Sequence, residues 1–75
     1  MTADWGAKDK YNDYPYKIEI FPMGGLKDSW ARQGWCADNV GEREEAWDFY
    51  SERYDQQVYV FARQKDAVNF ALIWV

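Results

Sequence analysis

Histidine is absent from this chain, cysteine occurs once, and leucine occurs only as Leu26 and Leu72. Each shortage excludes something. Without histidine, the side chain that titrates nearest neutral pH and most often ligates metals is missing. The lone Cys36 cannot close an internal disulfide. A secreted disulfide scaffold is therefore excluded, and a reducing cytoplasm is the natural setting. No run of about 18 apolar residues occurs, so no membrane span is expected. Met1-Thr2-Ala3-Asp4-Trp5 has neither a basic region nor an apolar stretch, and is not expected to be a signal peptide. Scarce leucine means that the core is not built from aliphatic side chains.

Rings take their place. Five Trp, six Tyr and four Phe stand among 75 residues. A single domain of this length buries only about 60% of its unfolded surface. Each buried ring removes roughly 150–250 Å² from water, so a ring-built core is dense for its size. About ten of the rings can be interior. A surplus of contact surface beside so few catalytic groups points to a small binding protein.

The formal charge is −4, and it is unevenly placed. Asp38, Glu42, Glu44, Glu45, Asp48, Glu52 and Asp55 are opposed within their segment only by Arg43 and Arg53. That segment is either a solvated face that keeps the protein soluble, or a surface aimed at a basic partner or imitating nucleic-acid phosphate. Net acidity argues against duplex DNA, whose affinity for proteins rests largely on Lys and Arg.

Residues 1–14 hold no helical or strand period and read as an N-terminal arm carrying Trp5, Tyr11 and Tyr14; residues 15–75 form the domain. From Tyr16 to Phe21 the chain alternates, with Tyr16, Ile18 and Ile20 on one face. Pro22 and Gly24-Gly25 end this first strand. Asp28 or Ser29 is placed to cap a helix starting near Trp30. Gly34 is expected where that helix approaches the sheet closely, and Gly41 where it ends in a left-handed cap. Trp47 and Phe49 share a face of a second strand, opposite Asp48 and Tyr50. Gln57 to Ala62 is a third strand with Val58, Val60 and Ala62 on one side, Tyr59 and Phe61 on the other. Gln64 to Trp74 returns to helical spacing through Ala67, Phe70, Ala71 and Trp74.

The expected fold is α+β: a two-layer β-α-β-β-α chain with a three-stranded antiparallel sheet in order 1-3-2 and two helices on one face. It is a truncated ferredoxin-like arrangement. Trp30, Trp35, Trp47, Phe49, Phe70 and Trp74 are the expected core rings, leaving Tyr50, Tyr59 and Phe61 on the far face of the sheet.

The spacing Trp35-Cys36-x-x-Asn39-Val40-Gly41 and the closing run Phe61-x-x-x-x-Asp66-Ala67-x-x-Phe70-x-Leu72-x-Trp74 resemble short proteins of tailed bacteriophages. Those proteins carry a Trp-Cys pair ahead of an Asn-aliphatic-Gly helix end and close on a Phe-x-Leu-x-Trp tail. The likeness covers roughly residues 30–75 and consists of packing motifs. Ala71 and Ile73 stand where the similar proteins often have Lys and Arg or Thr, so this tail is more apolar. The resemblance implies a phage-encoded protein at work in a bacterial cytoplasm or a virion. It supplies no catalytic or ligand-binding residue.

Residue chemistry offers few rivals to binding. Glu42, Glu44 and Glu45 lack calcium-loop spacing, and no cofactor is implied. Cys36 has no base or cation beside it to form a thiolate, so it is expected to be a packing residue and not a nucleophile. Met23-Gly24-Gly25-Leu26 is a turn, not a phosphate cradle. The resulting expectation is a protein without enzymatic activity that binds another protein. Such a protein would inhibit or redirect a host factor such as a polymerase or a defence nuclease. Its candidate contacts are an acidic surface of Glu42, Glu44, Glu45, Asp48, Glu52 and Asp55 and an aromatic face of Tyr50, Tyr59 and Phe61. Two alternatives stand beside it. One is an accessory virion or assembly protein acting through oligomer contacts. The other is single-stranded nucleic-acid binding, with bases stacked on Tyr59 and Phe61 near Lys17.

Overall fold

Alternating side chains and turn residues cut the chain into five elements. They are β1 (Tyr16–Ile20), α1 (Leu26–Asn39), β2 (Trp47–Tyr50), β3 (Gln57–Phe61) and α2 (Gln64–Trp74). The structure, a computed structural model, describes residues 13–75. The expected arm, with Trp5 and Tyr11, therefore lies outside the described residues except for Asp13 and Tyr14. β3 is central, antiparallel to β1 on one side and to β2 on the other. Order, direction and layering are those expected, with both helices on one face of the sheet.

The register decides which rings meet. Tyr16 and Trp47 pair with Phe61, Ile18 and Phe49 pair with Tyr59, and Ile20 pairs with Gln57. Directly opposed residues share a face, so Tyr59 and Phe61 lie on the same side as Trp47 and Phe49. Cys36 of α1 and Ala67 and Phe70 of α2 close over that side. Tyr59, Phe61 and Phe70 are fully buried. Trp47, Phe49 and Tyr59 stack at 5.5–6.4 Å between ring centroids, their planes 19–23° apart. The expected placement of Tyr59 and Phe61 on an open face is thus corrected. Every residue of β3 is buried, so alternation along it could not say which face met the helices.

The far face carries Val58 and Val60, and buried Tyr14 packs on both with half-buried Tyr50 and Ala62 beside it. Tyr14, assigned from sequence to the arm, is therefore a cover for this face.

α1 departs most from expectation. It begins at Leu26, with extended Gly25 at its N-cap and no side-chain cap. Asp28 lies in the first turn, where its charge suits the helix dipole. Ser29 points inward instead of capping. The buried stripe is Ser29, Arg32 and Cys36, while Trp30 is 64% exposed. Polar groups occupy this stripe because the sheet offers them partners. Arg32 Nη2 donates to the Met23 carbonyl (2.7 Å) and to Gln57 Oε1 (3.0 Å). Gln57 Nε2 donates to Ser29 Oγ (2.8 Å), and the Tyr59 hydroxyl donates to Gln57 Oε1 (2.8 Å). At its C-terminus, the Val40 and Gly41 amides close on the Cys36 carbonyl. Gly41 then takes φ +145, a conformation open to glycine.

Gly34 is likewise corrected. It is exposed, and a Cβ added there meets nothing within 4 Å. Gly34→Ala should therefore raise stability by up to about 1 kcal/mol, through helix propensity and a less flexible unfolded chain. A urea melt reads this directly. A loss of stability would mean that the backbone is closer to a neighbour than the structure has it.

Candidate interaction surface

The acidic residues expected to form one surface are divided by the sheet. Because β2 runs antiparallel to β3, the turns at its two ends lie at opposite ends of the sheet. Glu42, Glu44 and Glu45 are exposed in the turn before β2. That turn is closed by the Glu45 and Ala46 amides on the Glu42 carbonyl and by the Glu44 amide on the Trp47 carbonyl. Glu52, exposed, and Asp55, half-buried, lie beyond the other end of β2.

Asp48, between them, is fully buried and no part of a surface. Its Oδ1 accepts Arg43 Nε at 2.7 Å and the Phe49 amide at 2.8 Å. The Arg43 guanidinium also lies 4.5 Å over the Phe49 ring. Among the described residues, no three of the His, Cys, Asp and Glu side chains gather closely enough to share a metal ion.

The aromatic face does not assemble as expected either. Tyr50 lies on the far face, half-buried with Val58 and Val60. Tyr59 and Phe61 are shut in the core, so bases cannot stack on them.

A different set of apolar side chains is exposed, on two segments that hydrogen bonds join. The Met23 amide donates to the Asp55 carbonyl (2.8 Å) and to its carboxylate (3.2 Å). These bonds stitch the β1–α1 loop to the β2–β3 turn, two segments far apart in sequence. Asp55 holds its side of the contact at φ +59. The Gln56 side chain extends the seam, donating to Glu19 Oε2 (2.6 Å) and accepting from the Glu52 amide (3.0 Å). Phe21 and Leu26 on the first segment are each 64% exposed, and Tyr54 on the second is 93% exposed. Trp30, one helical turn beyond Leu26, extends this set along the outer face of α1. Lys27, Asp28, Glu52 and Arg53 are exposed on the same segments.

Sequence reasoning passed over these side chains, although two signals were present. Tyr54 stands in a polar turn with no period to turn it inward. Leu26 and Trp30 share helical spacing once the helix is known to start at Leu26.

The remaining candidate is Cys36. It is buried, and burial, reinforced by the charge of Asp66, pushes its thiol up to about 12. A thiol so far from ionising is no nucleophile at neutral pH. No helix among the described residues is long and apolar enough to cross a membrane. Comparison with models of known protein families, with curated proteins and with solved structures finds no match to this chain.

Proposed function

We propose that this chain is a binding protein without catalytic activity. Its partner is a protein, contacted through Phe21, Leu26, Trp30 and Tyr54. The single observation that carries this reading is the exposure of all four on segments that Met23 and Asp55 join. Exposed large apolar side chains grouped together mark contact sites, and aromatic anchors within a polar rim are the usual composition of an interface. Asp28 and Glu52, with Lys27 and Arg53 beside them, give those segments a charged rim of mixed sign. In the phage setting that the sequence resemblance implies, the partner is a host factor such as a polymerase or a defence nuclease, and binding inhibits or redirects it.

The test is affinity capture from a bacterial lysate with the wild-type chain and with the Trp30→Ala/Tyr54→Ala variant. Both side chains lie outside the core, so the variant should keep its fold. A partner held by the wild type should be lost, or bound at least about tenfold more weakly, by the variant. A partner captured equally by both, or none captured by either, would overturn the assignment.

A further inference from the structure

The outer edge of β1 has no strand beside it among the described residues, because β1 pairs only with β3 and stands at the end of the sheet. Next to that edge, β1 and α2 leave a groove of about 470 Å³, lined chiefly by Tyr16, Ile18, Val68, Ala71, Leu72 and Val75. Tyr16, Val68, Leu72 and Val75 are exposed. An unpaired strand edge beside an apolar wall is a site for strand addition. The sequence of the strand identifies what fits there.

β1 reads Tyr16-Lys17-Ile18-Glu19-Ile20, a pattern of charges that complements itself when the strand is turned antiparallel about its centre. With a two-fold axis at Ile18, Lys17 stands opposite Glu19 of the second copy, and Glu19 opposite Lys17. Tyr16 stands opposite Ile20, and Ile18 meets itself. The apolar pairs then lie on the helix face and the charged pairs on the far face. Registers shifted by two residues set Lys17 against Lys17 or Glu19 against Glu19, and like charges directly opposed repel. A shift of one residue sets apolar side chains against charged ones. Only the axis at Ile18 satisfies both faces. Pro15, with no amide hydrogen to give, limits the paired stretch at one end. Lys17 and Glu19 are exposed, and Lys17 makes no ion pair among the described residues. Glu19 uses Oε2 for Gln56, leaving Oε1 for a cation.

We infer that two copies of this chain pair through β1 about a two-fold axis at Ile18, forming a continuous six-stranded sheet. Val68 and Leu72 of the two α2 helices, with Val75 just beyond each, then meet over the junction. The four side chains of the proposed partner surface lie outside β1 and α2, although Glu19 of β1 also holds the seam between their segments through Gln56.

The test uses the full chain and two charge reversals, Lys17→Glu and Glu19→Lys. The wild type should sediment as a dimer. Each variant alone sets like charges opposite one another in both cross-strand pairs and should weaken association by about tenfold or more. Mixed one to one, the variants regain opposite charges in both pairs, and the mixture should sediment as a dimer again. Recovery on mixing also shows that neither variant had merely lost its fold, and far-UV circular dichroism checks each one alone. A wild type that stays monomeric up to about 100 μM would overturn the inference. So would a dimer indifferent to either reversal, or a mixture that does not recover.

Discussion

Phe70→Ala should remove about 3–5 kcal/mol of stability, whereas Trp30→Ala should be nearly silent. Phe70 is fully buried, with Trp35, Tyr59, Phe61 and Trp74 around it at centroid distances of 4.7 to 6.4 Å. It is the ring through which α2 touches both α1 and the sheet. Truncating a buried Phe costs about 3–5 kcal/mol, because the lost transfer energy adds to that of an unfilled cavity. At roughly 0.05–0.15 kcal/mol per residue, a chain of this length has about 4–11 kcal/mol in total. The loss is therefore a large share of stability, and with few side chains to relax into the space little of it is recovered. Trp30, mostly exposed, should change stability by no more than about 0.5 kcal/mol when truncated. Urea melts of both variants decide the matter. A stable Phe70→Ala would remove that ring from the centre of the core, and a large loss in Trp30→Ala would place the indole inside it.

Residue type alone could not distinguish these two aromatics. Periodicity located β1, β2, β3 and α2 to within a residue or so, because each carries a clean alternation or stripe bounded by Pro, Gly or polar turns. The sheet order followed from placing β3 at the centre, and the right-handed crossover rule then gave the face that α1 covers. Facing was not legible in two places. β3 is buried on both sides, so Val58 and Val60 compete on equal terms with Tyr59 and Phe61. The answer depends on the pairing of Phe49 with Tyr59, and a slip of one residue reverses it.

In α1, the inward stripe is polar. Arg32 is buried because the Met23 carbonyl and Gln57 receive it, partners more than a helical turn away in sequence. A pattern search for apolar faces turns this helix the wrong way and puts Trp30 inside. The same reversal hid the candidate surface. With Trp30 assigned to the core, Leu26, Phe21 and Tyr54 remained isolated apolar residues in loops. The acidic run misled for a related reason. Neighbours in sequence from Glu42 to Asp55 are parted by a strand, and Asp48 within that strand turns inward to Arg43.

Raising the pH above 9 should destabilise the domain steeply, and Cys36 should account for the first part of the fall. Burial raises the Cys36 thiol from 9.0 to about 12. Burial also raises the Tyr59 hydroxyl above its ordinary 10.0, with Arg32 partly opposing the shift. Below pH 9, folded and unfolded chains both keep the thiol proton, and Cys36 gives stability no pH dependence. Above pH 9, the unfolded chain releases that proton while the folded chain retains it, so ionisation draws the equilibrium toward unfolding. The slope approaches about 1.4 kcal/mol per pH unit for this group alone, amounting to about 2 kcal/mol by roughly pH 10.5. It flattens only as the folded thiol itself titrates near 12. Tyr59 adds a loss of the same sign from about pH 10 upward.

Urea melts at about pH 8 and about pH 10.5 should therefore differ by at least the cysteine contribution. Cys36→Ala separates the causes. It should cost about 1 kcal/mol at neutral pH for the small cavity it leaves, yet lose less stability than the wild type between pH 9 and 10. A variant whose alkaline slope equals that of the wild type would show that the thiol is not buried in the folded chain.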